Sequence, residues 1–261
     1  LTYRWSGSAY VQIGGGGGST EEIWNTSRYA NWRILKAEAV GGNQAAITFT
    51  NSLGFLNTGT AANKTSTYNT GDFIDTIRRI GLTSAATAGA EVQRRVASGV
   101  PCSTKSGFYF CADTISEDAA TVATAADFVG LGVNFVSPFG NAEPSINTGC
   151  VLLAYDSTDT NMQIMHNDNT GTCTKTDLGA NFPARTNATD LYRLELFCEA
   201  NVAEINYRVT RLNTGDQSSG TLTTNIPTSA TPLTLGFWRG NRGTALAVTK
   251  SFSQITIATP Y

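Results

Sequence analysis

Between residues 191 and 212, apolar side chains recur at every second position, and this alternation constrains the fold more than any other feature of the chain. In the first arm Tyr192, Leu194, Leu196 and Cys198 share one face, with Arg193, Glu195 and Phe197 on the other. In the second arm Ile205, Tyr207 and Val209 face one way, and Glu204, Asn206, Arg208 and Thr210 the other. Successive side chains of a strand point to opposite sides of its sheet, so a period of two marks a half-buried antiparallel pair. Shorter stretches of the same character cover residues 45–49, 73–80, 91–96, 107–112, 128–135 and 150–155. Others cover residues 162–166, 173–178, 233–238, 246–252 and 254–258.

Composition agrees with this reading. The 261 residues include 38 Thr, which suits pleated surfaces, and 26 Gly, which suits turns. Asn-Thr-Gly occurs five times, at Asn57, Asn69, Asn147, Asn169 and Asn213, and the irregular intervals mark turns rather than a repeat. Residues 116–126 are Ala-rich with acids near their start, and read as a short helix or a structured loop. Roughly a dozen strands without alternating helices predict an all-β fold, a jelly-roll or concanavalin-like two-sheet sandwich.

The N-terminal region has a different organisation. Residues 1–13, LTYRWSGSAYVQI, read as a hairpin around Ser-Gly-Ser, and Gly14 to Gly18 read as a flexible linker. No Gly-Lys-Ser/Thr follows these glycines, so they are not a phosphate loop. Two short strands do not stand alone in water, so this stem is expected to pair with other copies of itself. The expected divisions are a stem and linker at 1–18, an aromatic neck at 19–35 that docks onto the main body, and a sandwich head at 36–261. A start at Leu1 rather than Met is expected of a processed chain or a piece of a longer one.

Several partners are excluded as expectations. The net charge of −2 offers no basic excess, so no nucleic-acid partner is expected. No apolar run approaches ~20 residues, so no membrane insertion is expected, and no segment reads as a signal peptide. Cys102, Cys111, Cys150, Cys173 and Cys198 are odd in number and include no Cys-x-x-Cys pair, which argues against zinc. They are expected to be reduced, the alternative being one bridge, Cys102–Cys111 or Cys150–Cys173. Asp156, Asp159 and Asp168 are close in sequence but lack a calcium-loop pattern, so neither metal nor cofactor is expected.

Catalytic signals are weak. His166 is the one histidine, and no Gly-x-Ser-x-Gly elbow is present. Glu195 and Glu199 share a strand face, but the central acid of the laminarinase-type Glu-x-Asp-x-x-Glu pattern is replaced by Phe197, and they are expected on the solvated face. No catalytic residue is expected. Binding signals are stronger. Sugars stack on aromatic rings, and Asn and Arg bond their hydroxyls. Trp238, Arg239, Asn241 and Arg242 surround a glycine turn at a strand end, and Phe139 and Asn141 occupy a second loop. His166, beside a turn, is a further candidate ligand contact. Trp238→Ala is therefore expected to lower binding and leave the fold intact.

The opening YRWSGSAYVQI with its glycine run resembles the connector of bacteriophage tail-fibre and side-fibre proteins. DTNMQIMHNDNTGTCTKTDLGANFP, LYRLELFCEANVAEINYRVTRLNTG, GFYFCADTIS and DFVGLGVNF resemble a C-terminal β-sandwich tip domain of phage tail proteins, over residues 90–261. The resemblance implies a homotrimeric virion adhesin that binds a host cell-surface glycan or protein without catalysis. It implies attachment to other tail proteins through the N-terminus, on a virion assembled in the bacterial cytoplasm. Two other classes stand beside it, a tail polysaccharide depolymerase and a purely structural virion protein.

Overall fold

The computed structural model describes residues 2–5, 10–13, 24, 32–38, 55–58, 60–64, 77, 79–96, 102–133, 135, 139–186, 188–228 and 232–260. The glycine linker, most of the neck and the expected strand at 45–49 lie outside these residues. The described strands are β1 (Thr2–Trp5), β2 (Tyr10–Ile13), β3 (Arg33–Glu38), β4 (Phe55–Thr58), β5 (Thr60–Lys64) and β6 (Arg79–Thr83). There follow β7 (Glu91–Val96), β8 (Phe108–Ser116), β9 (Ala126–Gly132), β10 (Cys150–Tyr155), β11 (Gln163–Asn167) and β12 (Thr174–Asp177). The last are β13 (Tyr192–Cys198), β14 (Ile205–Arg211), β15 (Asp216–Leu222), β16 (Thr234–Gly240) and β17 (Thr249–Thr259).

The strands β1 and β2 form the expected hairpin, with Thr2 opposite Ile13 and Trp5 opposite Tyr10. The head is a two-sheet antiparallel sandwich. One sheet has the order β12-β11-β10-β9-β16-β7-β4, and the other β15-β14-β13-β8-β17-β6-β5, with β3 pairing the C-terminal half of β17. The period-two reading of residues 191–212 holds. Leu194, Leu196, Ile205 and Val209 point inward and meet Val129, Leu131, Val151, Leu153, Leu235 and Phe237 of the facing sheet. The two expected strands at 246–252 and 254–258 are one strand. Between Phe252 and Ile255 a bulge inserts an extra residue, which keeps Phe252, Ile255 and Ile257 all on the inner face. Residues 117–125 are a loop rather than a helix. Asp118 accepts the Thr249 N–H at 2.7 Å, and Val122 and Ala125 bury against Val248, so tertiary anchors override Ala propensity.

Both outer faces carry further apolar clusters. On the outer side of the β9–β16 sheet, Phe128, Leu152, Met165 and Trp238 pack with Phe135 and Phe139 of the β9–β10 connection. Gly236 leaves the slot for Phe135: a Cβ there would lie 2.4 Å from the ring. On the outer side of the β8–β13 sheet, Trp24 packs with Tyr109, Cys111 and Phe197, and the Arg208 guanidinium lies 4.8 Å from the Trp24 ring centre. Trp24, from the expected neck, is thus in contact with the main body. Of the Asn-Thr-Gly turns, Gly149, Gly171 and Gly215 have φ of 57°, 69° and 82°, the left-handed region their sequence predicts.

All five cysteines are buried thiols. Cys102 belongs to the core between the sheets and Cys111 to the opposite face of the second sheet, so the two cannot bridge. Burial pushes Cys102, Cys111 and Cys198 up to about 12, and raises Tyr109 and Tyr192 as well. These groups ionise first in the unfolded chain. Above pH ~9 the unfolded state therefore binds fewer protons than the native state, and stability falls as pH rises. Melting temperature should drop steeply between pH 9 and 11, each such group removing up to ~1.4 kcal/mol per pH unit. A flat melting profile across that window would mean the thiols and phenols are solvated.

Candidate functional site

The two loop stretches singled out in the sequence converge at one end of the sandwich. Of the connection between β9, which ends at Gly132, and β10, which starts at Cys150, Phe135 and Phe139 pack on the outer face. Midway this connection reaches Glu91, the first residue of β7. The buried Glu91 carboxylate accepts N–H groups from Phe139 at 2.8 Å and Gly140 at 2.6 Å, and the indole N–H of Trp238 at 2.9 Å. The Phe139 ring stands edge-on to Trp238, with centroids 4.9 Å apart, and Trp238 stacks on Phe128 at 5.8 Å. Asn141 is exposed beside Gly89.

The turn after β16 supplies the other half. Asn241 is fully buried and its amide donates to Thr87 O at 2.8 Å and Leu246 O at 2.7 Å, pinning this turn to the β6–β7 connection. Arg242 has φ 54°, a left-handed backbone that non-glycine residues adopt at a cost. Its guanidinium donates to Glu143 at 3.1 Å and retains one-fifth of its exposure, while Nη1 has no partner. Glu143 in turn accepts the Ser157 N–H at 2.9 Å. Phe139, Asn141 and Arg242 thus bring a half-buried ring, an exposed amide and a guanidinium that is one-fifth exposed, its unpaired Nη1 lying beneath the surface, to one end of the fold.

The structure corrects the other candidates. Trp238, Arg239 and Asn241 are fully buried, so they support the site from beneath instead of touching a ligand. Strand alternation explains Trp238 and Arg239: Trp238 faces the outer cluster and Arg239 the space between the sheets. His166 is not at a loop tip. It is buried on β11, and its Nδ1 bonds Asn225 O at 3.0 Å, fastening the 223–228 segment at the opposite end. Glu195 is not solvated. It accepts the Tyr109 hydroxyl at 2.8 Å and Arg208 Nε at 2.7 Å, which occupies both its oxygens.

Sequence reading missed a buried ionic cluster around Arg239. The guanidinium pairs with Asp118 and with Asp127 at 3.2 Å, and also bonds Tyr155 and Ser116. Lys250 pairs with the other oxygen of Asp127, and burial lowers its pKa against that pull. A cavity of about 20 Å³ borders this cluster, lined by Ser116, Asp127, Tyr155, Arg185, Asp190 and Lys250 among others. That volume holds about one water and no sugar. The Asp156–Asp159 loop has its own cation: Lys175 Nζ lies 2.6 Å from Asp159 and 3.3 Å from Asp156. Asp168 bonds Thr170 in its own turn instead. No group of three potential metal ligands occurs among the described residues. A groove of about 600 Å³ lies at the His166 end, lined by Thr104, Lys105, Asn201, Val202, Ile226, Pro227 and neighbours, with no aromatic ring among its lining residues.

No protein-family model matches this sequence, and no curated protein matches it. Solved structures do match in fold. A protein of unknown function from Shewanella oneidensis MR-1 aligns with TM-score 0.54 and 14% identity, over 95% of this chain and 96% of its own. A Lotus tetragonolobus seed lectin aligns with TM-score 0.54 and 10% identity, over 88% of this chain and all of the lectin. The Emp47p carbohydrate recognition domain aligns with TM-score 0.55 and 8% identity, over 94% of this chain and all of that domain. The head of this chain has the two-sheet sandwich fold of the legume lectins.

Proposed function

We propose that this chain is a non-catalytic adhesin that binds a cell-surface glycan through Phe139, Asn141 and Arg242. The observation that carries the reading is the convergence of these residues, from separate stretches, at one end of a lectin-like sandwich. A pyranose face fits the exposed side of Phe139, and its hydroxyls are within the chemistry of an amide and a guanidinium. Glu91 preorganises the loop, so little ordering entropy is lost on binding. The stem, glycine linker and head sequences resemble phage tail fibres, which supports a homotrimeric virion tip binding a bacterial host. Three sites on one tip would raise avidity without new contacts. Glu195, committed to Tyr109 and Arg208, gives no support to a hydrolase.

Binding to host cells and to a panel of their surface polysaccharides tests this reading. Arg242→Ala and Asn141→Ala should each weaken binding by ~10-fold or more, the value of a lost hydrogen bond to a charged or desolvated group. Light scattering should give the mass of three protomers. Full binding by both variants, or loss of binding in Lys105→Ala alone, would move the site to the opposite groove and overturn the assignment.

A further inference from the structure

We propose that Cys150 and Cys173 form an oxidisable pair that closes to a disulfide and staples the start of β10 to the β11–β12 turn. The two sulfurs lie 3.6 Å apart in the outer-face cluster, in van der Waals contact. The other thiols are placed differently: Cys102 and Cys198 point at the carbonyl oxygens of Leu233 and Glu199, both at 3.4 Å, and Cys111 lies on the far sheet. The pair also sits at the base of the loop that carries Phe139 and Asn141. Cys150 follows that loop directly, and Cys173 donates its N–H to Ser145 O at 2.8 Å and its thiol to Asn147 O at 3.3 Å. Both partners are therefore positioned by backbone contacts, and side-chain rotation has to close the sulfurs to ~2.05 Å.

The reaction balances with glutathione disulfide as oxidant. One protein thiol attacks it, releasing one glutathione thiol and leaving a mixed disulfide. The second protein sulfur displaces the other glutathione, so the protein loses two hydrogens and two glutathione thiols form. Contact with Cys173 and burial together hold the Cys150 thiol protonated, so closure is slow at neutral pH and faster in mild alkali.

The test uses the full chain, incubated with glutathione disulfide or with dithiothreitol. Thiol titration in denaturant should show that two of the five thiols disappear on oxidation, and peptide mapping should join Cys150 to Cys173. The melting temperature should rise by ~5–10 °C, because the cross-link restricts the unfolded chain. Cys150→Ser and Cys173→Ser should each abolish the rise, and Cys111→Ser should retain it. Five persisting thiols, a cross-link between any other pair, or a lasting glutathione adduct on Cys173 would overturn the proposal. Peptide mapping of the wild-type chain decides this even where a serine variant fails to fold.

Discussion

Asp127→Ala should lower the free energy of unfolding by ~3–5 kcal/mol, the cost of breaking a buried ion pair from one side. Asp127 is inaccessible to solvent, and both its oxygens are committed. One accepts Lys250, and the other accepts the Ser116 hydroxyl at 2.9 Å and Arg239 at 3.2 Å. Arg239 keeps Asp118 as a partner after the substitution, but Lys250 is left buried at 2% exposure with no carboxylate. Its ammonium must then lose its proton or draw water into the sandwich. The pKa of Lys250 is already lowered in the native state, so in the variant stability should recover as pH rises and the folded-state lysine deprotonates before the unfolded one. Adding Lys250→Met removes the stranded charge, and the double variant should return to within ~1–2 kcal/mol of wild type, as apolar replacements of buried ion pairs do. Urea denaturation of wild type, the two single variants Asp127→Ala and Lys250→Met, and the double variant measures this. A single-variant cost below ~1 kcal/mol would mean that water already reaches the cluster.

This cluster marks the boundary of what the sequence makes legible. Strands with one polar and one apolar face, such as β13 and β14, announce themselves through their period. The strand β15 does not: Asp-Gln-Ser-Ser-Gly-Thr-Leu lies at a sheet edge, pairs only with β14 and needs almost no apolar side chain. Arg239 reads as a ligand contact and Lys250 carries no signal, because their partners lie 121 and 123 residues away, at Asp118 and Asp127. Charge pairing at that range leaves no local pattern. The two candidate loops are picked out by residue type, but their convergence has no local signal. Which of their residues face outward was not readable, because it depends on Phe139 packing against Trp238 and bonding Glu91 from a distant part of the chain. Glu91, the hub of the site, gave no signal beyond a lone acid at a strand start.

Trp238→Ala, expected from sequence to be a clean binding mutation, should instead cost ~3–5 kcal/mol of stability, as truncation of a fully buried aromatic does. Trp238 has no solvent exposure, stacks on Phe128 and supports Phe139 edge-on. Its removal leaves a cavity beneath the site loop and strips Glu91 of the indole donor at 2.9 Å. Binding should fall in this variant because Phe139 loses its platform. Trp238→Phe separates the two effects. It keeps a ring against Phe128 and Phe139 but deletes the N–H and part of the indole volume, while Glu91 retains the Phe139 and Gly140 donors, so it should cost ~1–3 kcal/mol with Phe139 still in place. Glycan binding by the folded Trp238→Phe chain should therefore match wild type, whereas Arg242→Ala should lose binding at unchanged melting temperature. A Trp238→Ala chain that melts like wild type and yet fails to bind would make the indole itself the sugar platform, which requires the 133–149 connection to swing away from the sheet when ligand arrives.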